Sequence, residues 1–330
     1  MTEKGNTKSA DSMYDVVIVG GGAAGLSAAQ MLGRTRRSVA VVDGGQPRNA
    51  PAEGVHGFLS RDGIDPAELL AIGRAEAEHY GAVVVRGEVM ATSGDVRRGF
   101  EVTLDDGRQL RGRRLLVTTG LVDELPDIPG LQERWGKDVL HCPFCHGWEV
   151  QDQAIGILGN GPWSVHQALL FRQWSSNITL FLNDRTDPSD GEHEQLAARG
   201  VKVVAGAVEA LRVENDALRG VALAGGPEVA VEAVVVGARV HSRLAAFSGL
   251  GLSATAHPMG IGDYLETDAD GATAVPGVWA AGNVTDLRAQ VLASAAAAAW
   301  TAVMINNHMM AEELDRDVNA YRESLALTGA

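Results

Sequence analysis

Two cysteines and two histidines lie within six residues, and their spacing is the strongest chemical feature of this sequence. His141, Cys142, Cys145 and His146 form this cluster, and the chain of 330 residues contains no other cysteine. A disulfide that closes so short a loop removes little entropy from the unfolded chain and therefore stabilises the fold little. A Cys-x-x-Cys pair instead lowers the pKa of one thiol, and a neighbouring histidine can hold or exchange the proton. The cluster predicts thiol–disulfide redox chemistry.

Three other interpretations of this cluster stay open at the level of sequence. Residues 142–146 also match the attachment signature of a c-type haem, which requires export, but residues 1–12 contain no apolar signal-peptide core. A zinc site would need all four side chains to converge on one tetrahedral ion, which is difficult within six residues. The third alternative is a pair of inert buried thiols. Redox chemistry is the interpretation that we favour.

Composition narrows the class of protein. The length of 330 residues predicts two domains, and 40 glycines with only 5% aromatic residues are typical of an α/β protein with tight turns. The net charge of −14 disfavours nucleic acid and anionic membrane surfaces as partners. No apolar run is long enough to span a membrane. Because we also find no targeting segment, we expect a cytoplasmic protein.

A glycine-rich motif near the N-terminus gives the clearest fold signal. The β-branched run at residues 15–19 leads into Gly20-x-Gly22-x-x-Gly25 and then into a helical pattern. This order of strand, glycine turn and helix is typical of dinucleotide-binding folds. Gly20 would make the tight turn, Gly22 would admit a pyrophosphate, and Gly25 would allow close helix–strand packing. The next strand ends at Asp43, where an acid can hold a ribose hydroxyl.

The same order recurs later in the chain with altered residues. The strand at 154–158 is followed by Gly159-Asn160-Gly161-Pro162-Trp163-Ser164 and a helical run. Pro162 has no N–H group, Trp163 is bulky where a pyrophosphate would approach, and Ser164 replaces the third glycine. The following strand ends near Asp184, and an acid there disfavours a 2′-phosphate. Further runs predict a β-meander that completes this unit, at residues 201–204, 217–224 and 229–236.

Other segments give simpler expectations. The pattern predicts a helix over residues 66–80 and an alanine-rich helix from Ala289 to about Met310. The four arginines between Arg108 and Arg114 are interpreted as a solvated face. Further strands are predicted at residues 83–85, 101–104 and 115–120.

Several motifs occur in the order seen in low-molecular-weight thioredoxin reductases, and the resemblance covers nearly the whole chain after residue 12. They are Gly20-x-Gly22-x-x-Gly25, Gly44-Gly45-Gln46, Thr118-Thr119-Gly120, Cys142-x-x-Cys145 and Val275-Pro276-Gly277-Val278-Trp279-Ala280-Ala281-Gly282-Asn283. The resemblance implies two Rossmann-like three-layer α/β domains, the second inserted into the first. It also implies bound FAD, a cysteine pair stacked by the flavin, and a homodimer.

The resemblance sets the expected domain boundaries and the cofactor site. Residues 1–12 would be a disordered tail, residues 13–121 and 244–330 the two segments of the FAD-binding domain, and residues 122–243 an inserted, degenerate NAD(P)-type domain that carries the cysteines. No metal site is predicted. The motifs and the resemblance together assign cofactor contacts to Gly20, Gly22, Ala23, Ala24, Gly25, Asp43, Gly44, Gln46, Asn49, His56, Val89, Thr119, Gly120, Gly282, Asn283, Ala289, Gln290 and Val291.

Departures from the reductase pattern indicate a particular branch. The reductases usually carry an acid after the second cysteine, where this chain has His146, and a flavin-binding Gly-Asp, where it has Gly282-Asn283. Their Arg-Gln before the last helix is Ala289-Gln290 here. These changes resemble the branch that oxidises dithiols on small molecules, including the enzymes that close disulfides in gliotoxin and holomycin biosynthesis. We therefore do not expect NADPH to bind.

The resemblance implies a chemistry and leaves alternatives open. Cys142 would face a small-molecule dithiol and Cys145 the flavin, with electrons passing through FAD to O2 to give H2O2. His146 would carry the substrate's proton, unless it only caps a helix or bonds a carbonyl. One alternative is a reductase that uses NAD(P)H or a carrier protein to reduce a thioredoxin-like partner. Another is a flavin-bound redox sensor.

Overall fold

Two units make up residues 13–328, the part of the chain described by the computed structural model. The first unit comprises the described residues up to Pro47, Glu68–Val122 and the described residues from Ser242 onward. The second unit comprises Arg48–Ala67 and Asp123–His241. The tail predicted over residues 1–12 lies outside the described residues.

The segment Arg48–Ala67, which the sequence prediction places in the FAD-binding domain, groups by its contacts with the second unit. It belongs to the second unit, where Arg48 Nε donates a 2.7 Å hydrogen bond to Asp123 Oδ2. A methyl group added at Gly136 would lie 2.6 Å from Pro51 Cβ, so these backbones are in close contact. Contacts between residues so far apart in the chain leave no periodic pattern in the sequence, so the sequence alone does not display this grouping.

The elements follow one another along the chain in a mixed α/β order. The strands are β1 (Tyr14–Val19), β2 (Val39–Asp43), β3 (Val83–Arg86), β4 (Val89–Asp95), β5 (Gly99–Leu104), β6 (Gln109–Val117), β7 (Leu121–Glu124), β8 (Val139–Leu140), β9 (Ile155–Leu158), β10 (Ile178–Phe181), β11 (Lys202–Val204), β12 (Val208–Glu214), β13 (Ala217–Leu223), β14 (Glu228–Ala230), β15 (Ala233–Val236), β16 (Arg239–Ser242), β17 (Thr255–Ala256), β18 (Asp263–Tyr264) and β19 (Val278–Ala280). The helices are α1 (Ala23–Arg34), α2 (Pro66–His79), α3 (Leu131–Arg134), α4 (Pro143–His146), α5 (Trp163–Phe171), α6 (Asp190–Ala198) and α7 (Val291–Thr328), with a 3₁₀ helix at Ala245–Leu250.

The first unit is built on a seven-stranded sheet in the order β3-β2-β1-β6-β5-β4, with β19 also paired to β6. The nine-residue strand β6 pairs in parallel with β1 and β19 through its C-terminal part and antiparallel with β5 through its N-terminal part. Side chains alternate between the two faces of a strand. Val17 and Val19 therefore join one core cluster with Phe247, while Val16 and Ile18 join another beneath α1 and α7.

Two arginines of β6 contradict the solvated basic face that we expected. The side chain of Arg114 is only 2% exposed, and its Nη2 donates to Glu312 of α7. Arg113 Nη1 donates to Glu313 at 2.7 Å and to Asp15 at 3.1 Å. The buried Arg114 needs a charged partner because an unpaired ion is costly to remove from water. The arginines instead tie the central strand to the last helix.

The second unit contains a parallel sheet in the order β11-β10-β9-β15-β8 and a separate antiparallel sheet in the order β12-β13-β14. The predicted single β-meander is therefore wrong. Strand β11 joins the parallel sheet next to β10, and the run at residues 229–236 splits between β14 and β15. All four residues of β15 are buried, as expected for an interior parallel strand covered on both faces.

The predicted fold class, two Rossmann-like α/β domains with the second inserted in the first, is confirmed by these two sheets and by the similarities described below. The last helix, α7, runs to Thr328 and so extends beyond the predicted end near Met310. Within the described part of the chain, each helix is too short or too polar to cross a bilayer.

Candidate active site

The first glycine turn adopts the conformation that a dinucleotide requires. Gly20 has φ of +115°, and a Cβ at this position would lie 2.2 Å from the Thr118 carbonyl oxygen. A Cβ at Gly25 would lie 1.8 Å from the Gly20 carbonyl oxygen, so only glycine allows α1 to approach the turn this closely. A Cβ at Gly22 would meet no atom within 4 Å. The open backbone at Gly22, directly before α1, suits the approach of a pyrophosphate.

Asp43 lies at the end of β2, and each of its carboxylate oxygens accepts a hydrogen bond from the protein. Oδ1 accepts the Gly45 N–H at 2.8 Å, and Oδ2 accepts from Arg74 Nη2 at 2.8 Å. Arg74 was not anticipated from the sequence. Each carboxylate oxygen has a second lone pair. Asp43 can therefore still accept a hydrogen bond from a ribose hydroxyl while Arg74 and Gly45 fix its position.

Two further segments of the first unit, residues 119–120 and 282–283, lie close to each other and to α1. Gly120 has φ of +74°, and its Cβ position lies 3.4 Å from Asn283 Oδ1. Gly282 has φ of +88°, and its Cβ position lies 2.9 Å from the Cβ of Ala24. The buried hydroxyl of Thr119 has no hydrogen-bond partner among the described residues. A buried hydroxyl without a partner is costly, so it marks a position for a polar group from a ligand.

The remaining predicted cofactor residues are distributed over both units of the chain. Val89 begins β4 and packs against the core of the first unit. Gly44 and Gln46 are exposed in the loop after β2. Gln290 accepts the Ser294 N–H at 2.8 Å through its carbonyl, and Ala289 and Val291 flank it at the start of α7. Asn49 and His56 belong to the second unit. Contacts between a cofactor and any of the residues predicted from the sequence remain predictions.

The two cysteines of the second unit form a disulfide with Cα atoms 5.3 Å apart. Cys142 is the residue before α4, and Cys145 lies within it, so one short helical turn carries both sulfurs. The turn packs on Trp174, because a Cβ at Gly147 would lie 2.8 Å from the Trp174 ring. Phe144 and Trp148, on the same turn, are 65% and 69% exposed. The cysteine pair thus lies close in sequence to two exposed aromatic side chains.

His146 ends the same helical turn and has an unusual environment. Both ring nitrogens are buried and lack a hydrogen-bond partner among the described residues. Burial lowers the pKa of His146, the charge of Glu149 raises it, and the charge of His56 lowers it, with a net lowering. A lowered pKa keeps the imidazole neutral near pH 7. The ring therefore neither caps the helix nor bonds a carbonyl in the described chain, and both nitrogens are left without a protein partner.

His56, Glu149 and Asp62 form a charged group in the same unit. His56 Nε2 lies 3.4 Å from Glu149 Oε1, and His56 Nδ1 lies 3.6 Å from Asp62 Oδ1. Sequence reasoning placed His56 near the flavin and missed both acids. Glu149 lies three residues after His146. Residues at this spacing are neighbours on a helical turn, so the sequence could have indicated that Glu149 lies near His146.

In the second glycine turn, backbone groups are already hydrogen-bonded to nearby side chains, and we call this turn closed. Ser164 Oγ accepts the Asn160 N–H at 3.0 Å, and Thr186 Oγ1 accepts the Gly161 N–H at 3.4 Å. Asn183 is buried, and its amide bonds the Gly159 carbonyl at 3.1 Å and the Val208 N–H at 2.8 Å. His141 also has a structural bond, because its Nδ1 donates to the Val236 carbonyl at 3.1 Å. Burial lowers the pKa of His141.

The pyridine nucleotide-disulphide oxidoreductase family matches residues 14–302 of this chain. The chain belongs to this family. The predicted enzyme class is thereby confirmed, and membership implies that FAD is the bound flavin. The first glycine turn, the oriented Asp43 carboxylate and the unpartnered Thr119 hydroxyl fit such a dinucleotide.

The chain is also similar to individual proteins, among them HlmI and two fungal proteins named as thioredoxin reductases. The crystal structure of HlmI is 46% identical with a TM-score of 0.87, and the match covers 97% of this chain and 98% of that one. A probable thioredoxin reductase of Arthroderma benhamiae is 38% identical over 52% of this chain and 44% of its own length. The thioredoxin reductase tcpT of Claviceps purpurea is 34% identical over 53% of this chain and 57% of its own length. The matches to these curated relatives span about half of their length.

Proposed function

We propose that this oxidoreductase is an FAD-dependent dithiol oxidase that closes a disulfide in a small, natural-product-like dithiol and passes the electrons to O2. The observation that carries the proposal is the closed second glycine turn. Its N–H groups at Asn160 and Gly161 are already bonded to side-chain hydroxyls, and Pro162 has none. A turn without free N–H groups is a poor pyrophosphate site. Electrons would therefore enter from a thiol rather than from NADPH.

The residues around the disulfide support this direction of electron flow. The neutral, enclosed imidazole of His146 can remove the proton of a substrate thiol, which a strongly acidic carboxylate does less readily. The exposed rings of Phe144 and Trp148 offer apolar surface to a small organic substrate next to Cys142. The second glycine turn disfavours the binding of NADPH as a reductant. His146 would supply the base that dithiol oxidation needs.

The proposed exchange balances atoms and electrons within the chain. A substrate thiolate attacks Cys142, which forms a mixed disulfide and releases Cys145 as a thiolate. The second substrate thiol, after losing its proton to His146, attacks the substrate sulfur of that bond. The substrate leaves as a disulfide, and both enzyme cysteines are reduced. FAD held at the first glycine turn would supply the acceptor through which this electron pair reaches O2, and the two protons lost by the substrate thiols would balance the H2O2 that forms.

Anaerobic titration of the flavin absorbance tests the proposal. We expect dithiothreitol to bleach the flavin within the time of a turnover, NADPH and NADH to leave it oxidised, and H2O2 to appear when air is admitted. The Cys142→Ser variant provides the control, because it binds FAD but cannot exchange with a thiol. Fast bleaching by either nicotinamide would contradict the oxidase assignment.

One observation favours a second candidate, a disulfide reductase that uses NADH. Asp184 is exposed three residues after the end of β10, near the position where an acid can hold the ribose 2′-OH of a nucleotide without a 2′-phosphate. In that case NADH alone would bleach the flavin, and Asp184→Ala would raise the NADH concentration needed for half-maximal bleaching. The same titration therefore separates the two functions.

A further inference from the structure

The helical turn that carries the cysteines continues beyond the end of α4. The Gly147 N–H donates to the Pro143 carbonyl at 2.7 Å, and Gly147 has helical φ and ψ of −65° and −33°. Residues 147–150 go on as a hydrogen-bonded turn. Residues four apart on such turns are neighbours, with Cβ atoms about 5–6 Å apart. Glu149 therefore lies one turn along from Cys145, on the same side of the turn as the disulfide.

A second carboxylate lies beside Glu149, on the other side of the His56 ring. His56 Nε2 is 3.4 Å from Glu149 Oε1, and His56 Nδ1 is 3.6 Å from Asp62 Oδ1. The Gly57 N–H donates to Asp62 Oδ1 at 2.9 Å, and this bond holds the pKa of Asp62 below its usual value. The side chains of Glu149 and Asp62 are 40% and 72% exposed. Both carboxylates are thus open to solvent next to the partly exposed cysteines.

Few permanent cations offset these charges. Residues 138–171, which include the disulfide, contain three acids and neither lysine nor arginine. Residues 48–67, which include His56, contain three acids and two arginines. One of these arginines, Arg48, is already paired with Asp123, to which its Nε donates at 2.7 Å. The surface that a dissolved thiol approaches on its way to the disulfide is therefore negatively charged.

We propose that Glu149 and Asp62 select the substrate by charge, repelling anionic dithiols and admitting neutral or cationic ones. The inference rests on the proposed oxidase function, for which it names the class of substrate. An anionic dithiol carries its fixed charge toward Glu149 as its sulfur approaches Cys142, and like charges repel at this distance. The exchange itself is the same for every dithiol, because the substrate is oxidised to a disulfide while the Cys142–Cys145 disulfide is reduced. Cellular thiols that carry carboxylates would then largely escape oxidation.

Two dithiols of similar shape test the selection. 2,3-Dimercaptopropanol is neutral, and 2,3-dimercaptopropane-1-sulfonate carries a sulfonate in place of the hydroxyl. Each would reduce the FAD-loaded protein without oxygen, and the rate would be followed as the sum of iodoacetamide-labelled cysteine pairs and bleached flavin. Dividing by the rate with the neutral bis(2-hydroxyethyl) disulfide removes the intrinsic reactivity of each dithiol. At low salt we expect the alcohol to be about 5- to 10-fold faster than the sulfonate, and salt at about 0.5 M should bring the two rates together.

Substitutions that remove the charge locate its source. Glu149→Gln and Asp62→Asn should each narrow the difference between the two dithiols, mainly by accelerating the sulfonate. Glu194→Gln is the matched control, because it removes the same formal charge from an exposed position on α6 of the same unit. The ratio of the two rates in this control should equal that of the wild type.

The outcomes separate the selection from the function on which it rests. Equal normalised rates for the alcohol and the sulfonate in the wild type would overturn the selection. A wild-type ratio in both Glu149→Gln and Asp62→Asn, or an equal loss in Glu194→Gln, would overturn its assignment to these two carboxylates. Protein that neither dithiol reduces would overturn both proposals. Charge-selective reduction that gives no H2O2 when air is admitted would support the selection and overturn the oxidase function alone.

Discussion

The imidazole of His146 illustrates how burial sets the chemistry of a single residue. Its nitrogens are enclosed and its pKa is lowered, mainly because burial disfavours the charged form. A base with a lowered pKa stays unprotonated at pH values where an exposed histidine would be charged. The residue is thus prepared to take a thiol proton at and below neutral pH.

Replacement of His146 tests this role directly. His146→Ala should slow dithiol oxidation by about 10²- to 10⁴-fold, the range typical of a lost general base, while FAD stays bound. In the wild type, the acid limb of kcat/KM for dithiothreitol should lie below the pH at which an exposed histidine titrates, because burial lowers the pKa of His146. Stopped-flow reduction of the flavin across pH would show this acid limb. An unchanged limb in His146→Ala would contradict the assignment.

Part of this site could be predicted from the sequence and part could not. Cys142, Cys145 and His146 are adjacent in the chain, so a local motif reveals them. The contact of His56 with Glu149 joins residues that are distant in sequence, and no periodic pattern links them. Arg74 beside Asp43 was missed for the same reason. Long-range charge pairs are a property of the folded chain, which a single sequence does not display.

At the scale of elements, glycines decide how closely helices and strands of the first unit approach each other. Gly282→Ala should reduce FAD binding and lower the unfolding temperature, because this residue has φ of +88° and its Cβ would lie 2.9 Å from that of Ala24. Left-handed backbone alone costs a non-glycine residue about 1 kcal/mol. Flavin absorbance per protein and thermal unfolding would measure both effects.

Gly107→Ala is the matched control for that substitution. Gly107 has φ of +84°, but its Cβ would meet no atom within 4 Å. Both variants therefore carry the backbone strain, and only Gly282→Ala also displaces α1. Equal FAD content in the two proteins would show that the contact with Ala24 does not matter for the cofactor site.

The strands show where sequence patterns succeed and fail at this scale. Strand β1, the Gly20 turn and α1 were predicted because β-branched runs and glycine turns are local signals. The meander was mispredicted because a buried run such as β15 fits either a parallel or an antiparallel sheet. Strand order depends on which strands pair, and pairing is decided by packing between distant segments.

At the scale of the whole molecule, a charged cluster fastens α7 to the sheet of the first unit. Glu313 accepts hydrogen bonds from Arg37 and Arg113, each at 2.7 Å. Asp15 accepts from Arg113 at 3.1 Å. The hydrogen bonds of the two arginines lower the pKa of Glu313 to about 2. The two ion pairs that Glu313 makes with Arg37 and Arg113 therefore exist only while Glu313 is ionised.

Acid should weaken this attachment. An acid whose pKa is lowered on folding contributes its full stability above its unfolded pKa, here 4.5, and loses it as the pH falls to about 2. For the partly exposed Glu313 we expect a loss on the order of 2 kcal/mol. The difference in urea midpoint between the wild type and Glu313→Gln should shrink over this pH range. Glu323→Gln, exposed further along α7, should show no such pH dependence.

The assignment of Arg48–Ala67 to the second unit limits how this protein can evolve by recombination. The chain passes between the units at four places, after Pro47, Ala67, Val122 and His241. Exchange of residues 123–241 alone between two relatives would transfer the disulfide but leave His56 behind. Such a chimera would pair Glu149 with a His56 segment from the other parent. Transfer of the whole second unit therefore requires two separate stretches of the gene, those that encode residues 48–67 and 123–241, to be inherited together.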